Sequence, residues 1–140
     1  MTKKSTPPTI GSWLKNTSTT FALSTIQSSS LDAELLLCYV LGKSRTYLHA
    51  HPDIQLSDNQ VRVLSQLAAR RLTFEPIAYL VQNKEFYGRN FYVNSSVLIP
   101  RPESEIIIEL LKKYTTSTHH TLADIGTGSG CLAITAKKEL

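Results

Sequence analysis

The chain has 140 residues, enough for one ordinary domain or for one small domain and part of a second. Its composition, 41% hydrophobic and 19% charged, is that of a soluble globular protein, and no apolar run approaches the roughly 20 residues that span a bilayer. The first residues lack the apolar core of a signal peptide, so the sequence excludes those two classes and predicts a cytoplasmic protein.

The charge is unevenly placed along the chain. Residues 1–72 hold eight Lys and Arg against four Asp and Glu, whereas residues 73–140 hold seven of each, so the net charge of +4 belongs to the first half. Such a surface permits contact with an acidic partner, such as ribosomal RNA or an acidic protein face, without requiring one. No basic run is interleaved with aromatic residues, so direct nucleic-acid binding is not expected.

The cysteines and histidines show no pattern typical of a disulfide or a metal site. Cys38 and Cys131 stand alone in apolar helical contexts and are expected to be small buried hydrophobic residues. His119 and His120 form a pair that could hold a metal, but, like His49 and His51, they fall in stretches more typical of solvated loops.

Helical patterns fill residues 9–74, after a polar, proline-containing stretch at 1–8 that predicts a disordered tail. Thr9 is placed to cap a first helix with Ile10, Trp13 and Leu14 on its apolar side. A Ser/Thr-rich link at 16–20 then separates it from a second short helix at 21–26. The clearest helix spans 31–41 and ends at Gly42.

The helix at 31–41 has residues typical of a helix terminus at each of its ends. Asp32 and Glu34 lie in its first turn, where the helix dipole favours acids, and Gly42 stands where a C-cap glycine belongs. Its apolar residues run most of the way around, which predicts that it is the centre of a small bundle. A short helix stopped by Pro52 follows.

A long amphipathic helix opens at Ser57. Its apolar stripe predicts core packing and consists of Val61, Leu64, Leu67, Ala68 and Leu72. Arg62, Arg70 and Arg71 point away from this stripe, where a solvated face is expected more often than a binding face.

Beyond Pro76 the pattern changes from helical to extended. Residues 77–81 are predicted to be extended, and the aromatic runs at 85–87 and 91–93, separated by a turn at 88–90, predict a β-hairpin. Because an isolated hairpin is marginal in water, residues 75–96 are expected to be a linker packed between two larger units.

Residues 97–140 predict the start of an α/β domain. Pro100 and Pro102 hold Arg101 in a stiff extended loop, after which Glu103 to Glu105 open a helix. The residues of that helix expected to be buried are Ile106, Ile107, Leu110 and Leu111. A polar loop at 115–120 follows.

A glycine-rich stretch follows the polar loop. An apolar run ends in Asp124, and Gly126, Gly128 and Gly130 then alternate, which predicts a buried parallel strand, a tight turn and a helix from Cys131 to Glu139. Glycines can adopt positive φ and let a ligand lie against the backbone, while the helix aims free N–H groups at it. The dinucleotide fingerprint is not met, and a surface turn without a ligand is the competing interpretation.

Three separated stretches together resemble the N-terminal half of the release-factor glutamine methyltransferases, the PrmC/HemK family. They are the helix at 31–42, the loop Leu98-Ile99-Pro100-Arg101-Pro102-Glu103-Ser104-Glu105 and the turn Asp124-Ile125-Gly126-Thr127-Gly128-Ser129-Gly130. The resemblance implies an α-helical bundle at 9–74 that docks the substrate, a β-hairpin linker at 75–96, and at 97–140 the truncated start of an α/β Rossmann-like class I methyltransferase domain.

The same resemblance implies a function, a cofactor and a site. The family transfers a methyl group from S-adenosylmethionine to the glutamine side-chain amide in the GGQ motif of class-1 peptide-chain release factors, and we expect a monomer. The cofactor-binding residues carried over are Asp124, Gly126, Thr127, Gly128, Ser129 and Gly130, with Arg101, Glu103 and Glu105 over the same pocket. For the two glutamates the competing role is that of helix N-terminal acids.

The sequence also departs from the family pattern. Val81 stands where the family usually has glycine, and Ser104 where it usually has threonine. The acidic residue that would hold the ribose and the Asn-Pro-Pro-Tyr motif that grips the glutamine amide do not occur in the 140 residues. No catalytic residue is therefore assigned, and the chain is expected to be a truncated methyltransferase that is inactive alone.

Two other functions stay open. The helical domain could be a non-catalytic module that binds a release factor or the ribosome through Arg62, Arg70 and Arg71. A methyltransferase of the same fold could also act on RNA or on a ribosomal protein, because a fold does not fix a substrate.

Overall fold

The computed structural model describes residues 7–115 and 121–140. Within them the chain forms seven α-helices and one antiparallel hairpin, divided into two compact units with a border between Val81 and Gln82. The first unit contains α1 (Ile10–Leu23), α2 (Ser29–Leu41), α3 (Arg45–Ala50), α4 (Asp58–Leu72) and α5 (Ile77–Leu80). The second contains β1 (Asn83–Phe86), β2 (Arg89–Tyr92), a 3₁₀ turn (Pro102–Ser104), α6 (Glu105–Tyr114) and α7 (Cys131–Glu139).

The predicted helical first half, the hairpin and the helix after the glycines are therefore present. The domain limits at 9–74, 75–96 and 97–140 stay a prediction. Most of the predicted tail at 1–8 and of the loop at 115–120 lies outside the described residues. No helix in the described ranges is long and apolar enough to cross a membrane.

Helix α1 is continuous where the sequence predicted two helices and a link. Thr9 caps it as expected, accepting the Ser12 N–H at 3.2 Å. The link prediction is wrong because the hydroxyl groups of the Ser/Thr-rich stretch donate to carbonyl oxygens four residues back, for example Ser18 to Leu14 at 2.6 Å. Burial of Phe21 then holds the second half of the helix on the core.

Helix α2 is the centre of the first unit, as predicted. It contacts α1, α3, α4 and α5, and Leu36 and Leu37 are fully buried. Gly42 ends it with φ +62°, a left-handed conformation that favours glycine. The core around it consists of Ile10, Trp13, Phe21, Ile26, Ala33, Leu48, Leu56, Leu64, Leu67 and Leu80.

Helix α4 begins as predicted, with a capping box. Ser57 Oγ accepts the Gln60 N–H at 3.3 Å, and the Gln60 side chain accepts the Ser57 N–H at 2.8 Å. The extended conformation predicted for residues 77–81 is wrong, because Pro76 sits at an N-cap and starts the single turn α5. The left-handed turn follows at Gln82, with φ +54°, one residue after Val81.

The hairpin closes more tightly than the sequence predicted. Phe86 pairs with Arg89, so the turn is Tyr87-Gly88 alone, and both residues have positive φ, +52° and +71°. Two positive φ values match a type I′ turn, whose twist suits a hairpin. Phe86 and Phe91 are buried edge to face, with ring centroids 6.3 Å apart.

Helix α6 buries a different face from the one predicted. Ile108 is fully buried and Leu111 packs beside it, against α7 and the hairpin aromatics. The burial predicted for Ile106, Ile107 and Leu110 is wrong: these side chains are 61%, 42% and 46% exposed. Residues three apart share one helix face, and in the described part of this unit only the face of Ile108 has neighbours.

The buried strand predicted before the glycines is also absent. Residues 121–124 form no strand, and Leu122 and Ile125 are 48% and 96% exposed. A parallel strand is stable when it is paired and covered on both faces. The hairpin is the sole sheet within 7–115 and 121–140, so a Rossmann-like sheet is not seen there.

Candidate functional site

The glycine turn has the backbone conformation that a close approach to a ligand requires. Gly126, Gly128 and Gly130 have φ of +79°, +56° and +77°. Gly130 donates its N–H to Thr127 O at 2.8 Å and caps α7. A Cβ on Gly130 would lie 3.2 Å from Ile134 Cδ1, so this position combines left-handed backbone with tight packing.

A side-chain hydrogen bond between Asp124 and Thr127 stabilises the turn. Thr127 Oγ1 donates to Asp124 Oδ2 at 3.0 Å. The carboxylate therefore fixes the first half of the turn. It is partly buried and lies beside the glycines, as the sequence predicts.

An open cleft of about 600 Å³ lies beside this turn, inside the second unit. Gly128, Ser129 and Ile134 line it on the α7 side. The rest of its lining comes from β2 and the segment after it, namely Arg89, Asn90, Phe91, Tyr92, Asn94, Ser96 and Val97.

The lining of the cleft includes a buried hydroxyl group, that of Ser129. Ser129 Oγ is buried and has no hydrogen-bond partner among the described residues. A buried polar atom without a partner costs free energy, and a ligand that supplies a donor or an acceptor removes that cost.

The structure places the other predicted site residues elsewhere in the second unit. Arg101 and Glu103 are exposed, and among the described residues neither they nor Glu105 line the cleft. Glu105 Oε1 instead accepts the backbone N–H of Tyr87 at 2.9 Å. Its carboxylate therefore supports the hairpin turn, a role that no local sequence pattern indicates.

A polar network on the second unit joins residues that no sequence pattern groups together. The Tyr87 hydroxyl bonds Glu109 and accepts from Lys112 Nζ at 3.1 Å. Arg89 donates to Glu139 at 2.6 Å, and Lys112 lies 3.6 Å from the same carboxylate. The network ties the hairpin to α6 and α7. In the sequence, only the spacing of Glu109 and Lys112, one helical turn apart, indicates a contact of this network.

This network shifts the pKa values of Lys112 and Glu139. The Tyr87 hydroxyl, and after it the charge of Glu109, raises the pKa of Lys112. The hydrogen bond from Arg89 lowers the pKa of Glu139. Both side chains are held in their charged forms, which is the form that joins the hairpin to the helices.

In the first unit, Asp32 lies in the first turn of α2 as predicted, whereas Glu34 lies beyond it because the helix begins at Ser29; both acids are buried ion-pair partners. Asp32 is 1% exposed and accepts from Arg71 Nε at 2.7 Å. Glu34 is 9% exposed and accepts from Arg45 Nε at 2.5 Å, with His49 Nε2 3.0 Å away. His49 lies in α3, the short helix predicted before Pro52, and not in a loop.

The three arginines proposed as a binding face are engaged with other side chains. Arg71 is one half of the Asp32 pair, and Arg70 binds Glu75 through two hydrogen bonds of 2.5 and 2.8 Å. Arg62 donates to Asn59 at 2.7 Å. The solvated role predicted for Arg71 is wrong, because its side chain is only 14% exposed.

Neither cysteine takes part in a metal site in the described ranges. They contain no group of three or more His, Cys, Asp or Glu placed to hold a metal ion, while His119 and His120 lie outside them. Cys131 is buried and Cys38 half-buried, both as free thiols. Burial, and after it the charge of Glu34, raises the pKa of Cys38.

Comparison with known families decides the affiliation. Residues 12–81 match the family model of the PrmC N-terminal domain. The chain belongs to the PrmC family. The matched region begins inside α1 and ends at Val81, the border between the two units.

Proteins named release factor glutamine methyltransferase are similar to this member of the PrmC family. One from Coxiella burnetii is 50% identical over 105 residues, which are 74% of this chain and 38% of that protein. One from Nitratidesulfovibrio vulgaris is 44% identical over 110 residues, 79% of this chain and 37% of its own. One from Buchnera aphidicola subsp. Baizongia pistaciae is 40% identical over 131 residues, 93% and 47% respectively. The chain spans less than half the length of these relatives.

Proposed function

We propose that the protein carrying this sequence is an S-adenosylmethionine-dependent methyltransferase that methylates the GGQ glutamine of class-1 release factors. The observation that carries the proposal is the PrmC family match over residues 12–81, together with relatives named for this activity at 50% and 44% identity. We infer a monomeric, cytoplasmic protein in which the first unit docks the release factor.

The glycine turn is the part of the chain that fits the cofactor. S-adenosylmethionine supplies the methyl group on a sulfonium and carries an α-amino and a carboxylate group. Gly126 and Gly128 offer backbone N–H groups and room for close approach, and the Ser129 hydroxyl has no partner among the described residues. Asp124 offers a carboxylate beside the turn, suited to a cationic group.

Residues 97–140 belong to this proposal as the beginning of the Rossmann-like catalytic domain. The turn after Asp124 and helix α7 support it, because a tight glycine turn that opens a helix is typical of nucleotide-type cofactor sites. We propose that Arg101, Glu103 and Glu105 belong to the same site. The bond from Tyr87 to Glu105 gives that loop a fixed point on the hairpin.

Methyl transfer requires that the acceptor amide be oriented, and these residues do not provide this by themselves. Its nitrogen is a poor nucleophile because its lone pair is delocalised, so an enzyme must orient it toward the methyl group. No Asn-Pro-Pro-Tyr motif occurs in the 140 residues, and we propose that this polypeptide alone transfers no methyl group.

A segment exchange tests the proposed function. The 105 residues matched in the Coxiella burnetii protein are replaced by those of this chain, and methylation of the release-factor glutamine is followed by mass spectrometry. We expect methylation of the wild-type factor and none of a Gln→Ala factor. A chimera that folds, shown by a cooperative thermal transition, and binds S-adenosylmethionine but leaves the glutamine unmodified would contradict the proposal.

The same assay addresses the two alternatives. Binding through an arginine face is not favoured, because Arg70 and Arg71 are both held in ion pairs. Ribosomes offered to the chimera in place of the release factor test RNA and ribosomal proteins as acceptors, and we expect no transfer to either.

A further inference from the structure

The outer edge of strand β2, which borders the cleft, has backbone groups without a hydrogen-bond partner among residues 7–115 and 121–140. Val93 donates its N–H to Gln82 O at 3.4 Å, and pairing alternates along an antiparallel ladder. With the observed register, Phe91 and Arg89 therefore bond to β1, whereas the N–H and C=O groups of Asn90 and Tyr92 point away from it.

The cleft runs along this edge rather than over one face of the hairpin. Arg89, Asn90, Phe91 and Tyr92 are consecutive, so their side chains alternate between the two faces, yet all four line the cleft. A space lined by four consecutive residues of one strand extends along that strand and is not confined to one of its faces. The opposite wall is formed by Gly128, which has no side chain, and by Ser129, whose buried hydroxyl has no partner among the described residues.

We propose that an extended peptide binds in this cleft as a third strand, paired with the outer edge of β2. Strand addition gives affinity through main-chain hydrogen bonds and specificity through side-chain pockets. Asn90 and Tyr92 supply two donors and two acceptors, enough for a peptide of about four residues. Because Gly128 and Ser129 belong to the proposed cofactor turn, such a strand brings one peptide side chain to the methyl donor.

The occupant is a segment of the protein substrate, so the inference rests on the proposed function. It specifies how the acceptor would be held: by its backbone, in extended form, with the glutamine amide on the Ser129 side. The glycines before that glutamine in a GGQ segment suit a strand confined between β2 and the turn, since they add no side chains there.

Nuclear magnetic resonance of the ¹⁵N-labelled 140-residue chain tests the pairing. The probe is a capped ten-residue peptide with Gly-Gly-Gln at its centre. We expect the amides of Asn90 and Tyr92 to shift and to exchange more slowly with solvent. Phe91, paired with Lys84 of β1, and Val93, bonded to Gln82 just before β1, should stay protected throughout. Binding without a response at Asn90 and Tyr92, absence of binding, or free exchange at Phe91 and Val93 would each overturn the proposal.

Two modifications sharpen the test. Methylating the peptide nitrogens at alternate residues removes either the donors to β2 or those on the far side, and we expect about tenfold weaker binding for one set only. In the protein, Asn90→Pro removes an outward N–H, and Asn83→Pro does the same on the opposite edge; each variant also removes the side-chain bond between Asn83 and Asn90. Only Asn90→Pro should weaken binding, and equal effects of the two peptide sets or the two variants would refute strand addition.

Failure of the peptide experiment can be distinguished from failure of the segment exchange. Strand addition depends on the peptide backbone, so a Gln→Ala probe should bind as well as the original without any cofactor. If the chimera does not methylate but the peptide affects the amides of Asn90 and Tyr92 and not those of Phe91 and Val93, the proposed function fails and the peptide site stands. If the chimera methylates and no pattern is seen, only the peptide site fails.

Discussion

Arg71 donates its Nε–H to Oδ2 of Asp32 at 2.7 Å, and the two side chains, 14% and 2% exposed, join α4 to α2 inside the first unit. Arg71 also donates to the Glu75 carbonyl oxygen at 3.2 Å. Removing one partner of a buried pair leaves an uncompensated charge. We expect Asp32→Ala to lower the free energy of unfolding by about 3–5 kcal/mol, measured by urea denaturation.

The matched control for this pair is the double variant Asp32→Leu, Arg71→Met. Replacing both charges with apolar groups avoids the orphaned charge, so the double variant should be more stable than Asp32→Ala. A loss below about 1 kcal/mol in the single variant would show that the pair behaves as a surface pair.

The pair between Arg70 and Glu75 predicts a pH dependence. Hydrogen bonds from Arg70 hold the pKa of Glu75 below its ordinary value. A lowered carboxylate pKa gives stability that is present above the ordinary pKa and is lost as the pH falls through the lowered one. The pair is exposed, so about 0–1 kcal/mol is involved.

Urea denaturation at neutral and acid pH checks this prediction. Glu75→Gln should flatten the acid limb of the stability curve and reduce its sensitivity to salt, whereas Asp53→Asn, at an exposed aspartate, should leave both unchanged. An acid limb that is the same in Glu75→Gln and in the wild type would count against the effect.

Glu105 is expected to act on the hairpin through its bond to the Tyr87 N–H. Because Tyr87 is left-handed, with φ +52°, its amide needs a fixed acceptor to hold the turn. Glu105→Ala should destabilise the second unit by about 1–2 kcal/mol, and Glu105→Gln, which keeps a carbonyl acceptor, by less. Hydrogen exchange at Phe91 and Val93 measures both, and equal losses would exclude the hydrogen bond as the cause.

Gly42 and Gly128 form a matched pair of left-handed glycines, one in each unit. A Cβ on Gly42 meets nothing within 4 Å, so Gly42→Ala reports backbone strain alone, about 1–2 kcal/mol of unfolding free energy in the first unit. Gly128→Ala should leave the first unit unchanged. In a chimera extended to carry residues 12–140 of this chain, it should weaken S-adenosylmethionine binding, measured by calorimetry. Undiminished binding would argue against a ligand at this turn.

The sequence predicts those elements whose ends are specified locally. Ser57 with Gln60, Gly42, and the glycine before Cys131 each provide caps that depend on one or two residues, and the helices start or stop there. The hairpin follows equally from its aromatic runs, although the turn proved to be Tyr87-Gly88 alone.

What the sequence did not predict depends on contacts between distant residues. Asp32 and Arg71 are 39 positions apart, and each has a sufficient local explanation as a first-turn acid or a solvated base. Helix α6 is apolar on two faces, and only the position of its neighbours decides that Ile108 is buried and Ile106 exposed. In the candidate site, local pattern predicts the glycine conformations, whereas the cleft requires β2 to lie beside the turn.

The composition of α1 has a consequence for the order of folding. Residues of low helix propensity fill its middle, and their hydroxyl groups bond to the helix's own backbone, so the helix depends on burying Ile10, Trp13 and Phe21. Such a segment gains little before its partners are in place. We expect truncations such as Phe21→Leu to speed unfolding while barely slowing refolding, which would place α1 outside the nucleus and make it the last helix of its unit to form.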